Sequence, residues 1–316
     1  MRVLIAGGSG LIGRALAAEL ERGGYEVIVL SRPLAKTGDY RRPQPAVSLQ
    51  LPESVRVVAW DGRTAGGWEA LADGACAIVN LAGETLAGSR WTVERKRRIL
   101  ESRVNAGRAV VQAVHAAAHR PQVVIQSSGV GYYGPHADEQ VDEYAPAGSD
   151  FLGRVCVDWE RSTAPLAELG VRRAIIRSGL VLSAQGGAFP RLILPFRFFV
   201  GGPLGSGQQW FSWIHIADEV AAIRFLIESD GAAGPFNLSA PVPLTNRAFG
   251  QVLGRVMGRP SLMPTPGLAL RLLFGEMATA LLDGQRAVPR HLLEMGFIFR
   301  FRELEPALRH LLTGEN

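Results

Sequence analysis

Cysteine is nearly absent, since 316 residues hold only Cys76 and Cys156. Two thiols without metal-ligand spacing exclude a disulfide-stapled scaffold and a zinc site. No signal-peptide pattern precedes the first apolar run, so reduced thiols in a cytoplasmic protein are expected. Long apolar runs are missing as well. The stretch 188–202 is broken by Pro190, Arg191, Pro195 and Arg197, far short of the roughly 20 residues that span a bilayer, and no membrane partner is expected. There is no tandem repeat and no low-complexity tract. The net charge is +5, yet the basic residues are scattered and lack interleaved stacking aromatics, which argues against a nucleic-acid partner. The densest basic run, Arg95-Lys96-Arg97-Arg98, reads as the solvated face of a helix.

What remains is an ordinary globular composition, 47% hydrophobic and 20% charged, long enough to bury a sizeable α/β core. Its opening is the most specific part. The apolar run 1–6 is followed by Gly7-Gly8-Ser9-Gly10-Leu11-Ile12-Gly13, which reads as strand, tight turn and helix start. Backbone N–H groups at a helix N-terminus favour an anion, and side chains at Gly7 or Gly10 would block its approach; Gly13 lets the helix lie close to the strand. Residues 15–20 have helical spacing, Gly23-Gly24 ends that helix, and 25–30 form a second buried strand. This βαβ unit is built to hold a dinucleotide pyrophosphate. Where an acidic residue would accept hydrogen bonds from the ribose of NAD, the chain has Ser31-Arg32, with Lys36 beyond. That predicts a site for the 2′-phosphate of NADP.

Further along, prolines at 33, 43, 45 and 52 predict an irregular crossover. Strands are predicted at 55–60, 76–83, 122–128 and 172–182, and helices at 92–118 and 151–169. Asp61, at a strand end, is a candidate adenine contact, and Leu81, Ala82 and Gly83 are candidate walls of the cofactor site. Alternating strands and helices predict a doubly wound parallel Rossmann sheet with helices on both faces. The expected division is an NADP-binding domain over 1–180, to which 210–235 returns, and a smaller substrate-binding and C-terminal region over 181–316. The Gly-, Pro-, Phe- and Trp-rich stretch 183–213 reads as a lid.

Four blocks, the glycine loop, Asn80-Leu81-Ala82-Gly83, Ser127 to Gly134, and Ser212 to Asp218, resemble the extended and atypical short-chain dehydrogenase/reductases, the group that contains nucleotide-sugar epimerases. Glu84, Arg90-Trp91, Asp158-Trp159-Glu160 and the tail from Gly275 to Pro289 are similar, more narrowly, to the epimerase-like subfamily with a short C-terminal domain of unknown function. The resemblance covers essentially the whole chain. It implies NADP binding, with contacts at Gly7, Gly10, Gly13, Arg32, Leu81, Ala82, Arg103 and Leu180. Some members are linked by name to cell or plastid division, and their substrates are largely undefined.

Hydride-transfer enzymes of this kind use a Tyr with a Lys four residues later. Here the matching positions are Leu152 and Cys156. Ser128 keeps the place of the residue that polarises a substrate carbonyl or hydroxyl, and Tyr132 and Tyr133 are expected to face the same cleft as candidate proton donors, with Arg177 as a nearby cation. Glu84 is a candidate acid, base or partner of Arg90. His215 reads as a core histidine before a helix that Asp218 caps. The function expected is an NADP-dependent oxidoreductase or epimerase-like enzyme for a small polar substrate; the alternative is an NADP(H)-binding regulatory or scaffold protein without turnover. Relatives dimerise through the helix that carries Arg95 to Arg98, and a homodimer is expected if Glu94 and Glu101 offset its charge.

Overall fold

The first two strands show how the core is divided. Strand β1 (Arg2–Ala6) sends Val3 and Ile5 to one face and Leu4 and Ala6 to the other, and β2 (Glu26–Ser31) repeats this with Val27 and Val29 against Ile28 and Leu30. All eight side chains are at most 3% exposed. Strands apolar on both faces must lie inside a sheet covered twice, the arrangement parallel strands require. A computed structural model describes residues 1–32, 51–87 and 89–314. The prolines at 33, 43 and 45 and the candidate phosphate contact Lys36 lie outside the described residues.

The central sheet adds β3 (Arg56–Ala59), β4 (Ala77–Asn80), β5 (Val123–Gly129), β7 (Arg172–Ser178) and β11 (Gly234–Leu238). Its order is β11-β7-β5-β4-β1-β2-β3, seven strands, every pair parallel. Helix α1 (Leu11–Arg22) and α5 (Ile216–Glu228) share one face with the cluster of Leu16, Leu20, Ile223 and Leu226. The long α2 (Val93–Ala116) covers the other through Ala106, Val110 and Val114. The order reverses between β4 and β1, so the crevice outside their C-terminal ends is where a ligand of such a sheet binds.

Three expected elements end early, the strand predicted over 76–83 among them, which stops at Asn80. The helix predicted to reach residue 169 is α3 (Phe151–Arg161), followed by a separate 3-10 turn at Ala164–Ala167 in which Pro165 sits in the first turn; proline lacks the N–H that would continue the helix. The strand predicted over 172–182 breaks at Gly179, where a Cβ would stand 2.2 Å from the carbonyl oxygen of Ser212. Beyond it β8 (Leu180–Leu182) leaves the sheet and pairs with β10 (Trp213–His215).

The remaining chain builds a smaller layer over the C-terminal edge. Short strands β6 (Gln140–Val141) and β9 (Trp210–Phe211) pair with Arg286–Ala287 and Leu244–Thr245. Helices α4 (Phe189–Arg197), α6 (Asn246–Met257), α7 (Gly267–Phe274) and the last helix, Leu304–Thr313, complete it. Phe189, Phe211, Trp213, Phe249 and Leu308 form its core.

Candidate functional site

A crevice of about 300 Å³ opens where the sheet order reverses, lined by Gly7, Ser9 and Gly10 on one side and Leu81, Ala82, Gly83 and Glu84 on the other. Gly7 turns the chain at φ +77°, and a Cβ there would stand 2.9 Å from Ala82 Cα; only glycine takes this turn without strain. At Gly13 a Cβ would stand 2.5 Å from Gly8 Cα, so this glycine lets α1 start directly on the loop. Gly10 caps α1 without a side-chain acceptor and no acidic residue occupies its first turn. The positive end of the helix, with the first-turn N–H groups of Leu11 and Ile12, is therefore left for an anion. Ser31 Oγ donates to Ser9 Oγ at 2.8 Å and ties the loop to β2.

Arg32 and Arg63 both line the crevice, together with Ser31, Asp61 and Gly62. Neither arginine forms an ion pair among the described residues. Asp61 lines the crevice, but its carboxylate is engaged as a turn former. It accepts from the Arg63 and Thr64 N–H groups at 2.7 and 2.9 Å and from Thr64 Oγ1 at 2.8 Å. Burial opposes its charge slightly, and the Thr64 and Arg63 donors still hold it below the usual carboxylate range. Its effect is to fix the turn that presents Arg63, a crevice residue that sequence reasoning missed because a lone arginine in a turn carries no periodic signal. The opposite wall is set by Asn80, whose Nδ2 donates to Gln126 Oε1 at 2.9 Å while its Oδ1 accepts from the Ala82 N–H at 3.3 Å.

Arg103 lies beneath this wall. Its guanidinium donates to the carbonyl oxygens of Glu84 and Ile99, both at 3.0 Å, and stacks 4.8 Å from the Trp159 ring. Burial lowers it to about 10. It supports the loop that carries Leu81 to Glu84. Glu84 pairs with Arg95 and stands 3.8 Å from Arg98, whereas Arg90 bonds the Leu272 and Leu273 carbonyls of α7. Of the readings open for Glu84, the pairing with Arg90 is not made, and α2 supplies Arg95 as its partner instead. The basic run is likewise not one solvated face, for Arg95 is 6% exposed and Arg97 bridges Glu94 and Glu101.

The candidate catalytic group forms a buried network. Ser128 Oγ donates to Glu160 Oε1 at 2.7 Å, and Arg177 clasps the same carboxylate at 2.9 and 3.0 Å. Arg177 Nη1 also donates to Tyr133 Oη at 3.1 Å, and that hydroxyl donates to Asn237 Oδ1 at 2.7 Å. Burial works against the Arg177 charge, but Glu160 holds the guanidinium above its usual range. Neither tyrosine, nor Ser128, is among the residues that line the crevice. Tyr133 is 2% exposed and burial pushes its phenol up to about 12, while Tyr132 is half-buried with Arg177 Cζ 3.4 Å from its ring centre. Leu180 follows β7 on this side, its N–H bound to the Ser212 carbonyl at 2.7 Å.

His215 is structural. Its Nδ1 caps α5 by accepting from the Ala217 N–H at 3.0 Å, its Nε2 lies 3.1 Å from His310 Nδ1, and burial lowers it to about 3. Asp218, expected to cap α5, instead accepts from the Arg300 and Phe301 N–H groups. No helix among the described residues is long and apolar enough to cross a membrane.

Comparison with known proteins agrees with this geometry. Residues 3–154 match the NAD dependent epimerase/dehydratase family, and 265–311 match a domain of unknown function, DUF1731. An epimerase family protein of Staphylococcus aureus strain N315 is 36% identical over 311 residues, 98% of each chain, and one of Staphylococcus epidermidis is 35% identical over 99% of each. Among solved structures, human epimerase family protein SDR39U1 with NADPH superimposes with a TM-score of 0.85 at 34% identity, covering 98% of this chain and 99% of that one. A nucleoside-diphosphate sugar epimerase of Corynebacterium glutamicum matches with a TM-score of 0.76 at 34% identity, covering all of this chain and 59% of that one. With a nucleotide crevice at the sheet's reversal point and relatives aligned end to end, the chain belongs to the NAD dependent epimerase/dehydratase family, in the group whose C-terminal part is DUF1731.

Proposed function

We propose that this protein binds NADP(H) in the crevice and transfers hydride to or from a small polar substrate. The observation that carries the cofactor choice is the pair Arg32 and Arg63 at the end where the ribose of a dinucleotide lies. An acid there would favour NAD; two cations favour a 2′-phosphate through charge-assisted hydrogen bonds. The NADPH held by the human relative supports the same choice. The residues present fit the cofactor. The first-turn N–H groups of α1, together with Gly7, Ser9, Gly10 and Gly13, would hold the pyrophosphate. Leu81, Ala82 and Gly83 would line the ribose side, and Leu180 the nicotinamide side. When bound, NADP(H) supplies a hydride donor or acceptor. Ser128 and Tyr132 are the chain's own groups for orienting a substrate oxygen.

Replacing Arg32 or Arg63 by alanine should weaken NADPH binding about tenfold or more and leave NADH binding unchanged. Equal losses for the two nucleotides would overturn the assignment. A second reading, NADP(H) binding without turnover, draws on the engagement of Ser128 by Glu160 and on the burial of Tyr133. NADPH oxidation across a panel of aldehydes and ketones separates the two. Turnover that is lost in Ser128→Ala or Tyr132→Phe supports the enzyme; binding with no turnover across the panel supports a regulatory or scaffold role.

A further inference from the structure

More than half of the large apolar side chains left exposed among the described residues lie in one part of the smaller layer. Leu194 on α4 is followed by the tip Phe198-Phe199-Val200, with Phe198 69% and Phe199 56% exposed. Alongside run Leu262 and Met263. The two segments are joined by the Met263 N–H to the Gly201 carbonyl at 3.0 Å and the Thr265 N–H to the Pro203 carbonyl at 2.9 Å. They lead directly into α7, where Leu270 is buried as the anchor and Leu268, Leu272 and Leu273 stand 64–70% exposed. Leu268 and Leu272 are four residues apart and so share a helix face. Phe199 is the one non-glycine residue among those described with a left-handed backbone, at φ +62°. A bulky residue held that way, outward, is a feature that folding alone does not favour.

The charges around this surface are mostly positive, Glu276 after α7 being paired with Lys96 and Asp283 lying within electrostatic reach of Arg271. No Asp or Glu occurs from 169 to 217 or from 231 to 275. Arg197 and Arg271 are exposed beside the apolar side chains, Arg259 stacks 4.2 Å from the Phe199 ring, and none of the three makes an ion pair among the described residues. An apolar face whose rim carries three arginines, Arg197, Arg259 and Arg271, is complementary to hydrocarbon beneath a layer of negative headgroups. We propose that the tip 198–200, residues 262–263 and α7 form a docking face for an anionic bilayer, on which the protein lies without spanning it. This goes beyond the cofactor reading and is independent of it. Arg90, bonded to the α7 carbonyls from the loop that follows Leu81 to Glu84, connects that face to the wall of the crevice.

The test is co-sedimentation of the full chain with vesicles of phosphatidylcholine, with and without phosphatidylglycerol. Partitioning should be at least about tenfold stronger onto the anionic vesicles, fall about fivefold for each of Arg197→Gln and Arg271→Gln, and weaken with added salt. Phe199→Ser and Leu272→Gln should reduce it on both vesicle types. All four positions are surface sites, and an unchanged unfolding midpoint with NADPH would show that the variants remain folded. Three outcomes overturn the proposal. One is no pelleting with anionic vesicles, and another is pelleting insensitive to these substitutions. The third is concentration-dependent self-association without vesicles that the same substitutions abolish, which would assign the face to a second copy of this chain.

Discussion

Glu160 stands one helical turn beyond Cys156 and two beyond Leu152, so the stripe of α3 nearest Ser128 carries a leucine, a thiol and a carboxylate. The carboxylate engages Ser128 and Arg177 together. Glu160→Gln would leave Arg177 buried and charged with half a partner, and should destabilise the fold by about 3–5 kcal/mol in denaturant titration. Tyr133→Phe, which deletes one hydroxyl from the same network, should cost about 1 kcal/mol. Ser128, Tyr132, Tyr133 and Arg177 were legible from their place at strand ends. Their partner was not, because a contact between residues 128 and 160 is made only when α3 packs on β5. His215 adds a pH dependence. Folded, it is lowered to about 3 by burial; unfolded, it titrates near 6.5. Between those values the unfolded chain binds the extra proton, so its contribution is full above about pH 6.5 and is lost as pH falls toward 3, by at most about 1.4 kcal/mol per pH unit. His215→Asn keeps a capping oxygen and should flatten that slope in unfolding measured from pH 7 to pH 4; an unchanged slope would remove His215 as its source.

At the scale of elements, the strands that could be read from the chain were those buried on both faces, β1, β2, β4 and β5, where apolar runs bounded by glycine or polar residues leave little choice. The break at Gly179 was hidden, since the carbonyl of Ser212 that demands a glycine lies 33 residues further on. The two- and three-residue strands of the smaller layer have no period to read. The turn from β1 into α1 is the element on which binding rests. Gly13→Ala would drive a Cβ against Gly8, 2.5 Å from its Cα, and backbone cannot move aside without reshaping the loop. NADPH affinity should fall at least about tenfold, with a loss of stability of about 1–3 kcal/mol from overpacking. Full affinity in this variant would mean that the loop does not hold the pyrophosphate.

Over the whole molecule, a seven-stranded parallel sheet places its reversal point, its glycine turn and two arginines, Arg32 and Arg63, around one crevice. The Rossmann architecture was evident from the alternation of strands and helices, and the crevice from its glycines, whereas Arg63 became visible only when Asp61 was seen to fix its turn. The account stands on the nucleotide this crevice selects. Thermal unfolding of cofactor-free protein with NADPH, NADP, NADH or NAD at equal concentration tests it most directly. A ligand at 100 times its dissociation constant adds about 2.7 kcal/mol, which raises the midpoint by several degrees. The account predicts that rise with NADPH and NADP and little or none with NADH and NAD. Equal rises with all four, or none with any, would contradict it.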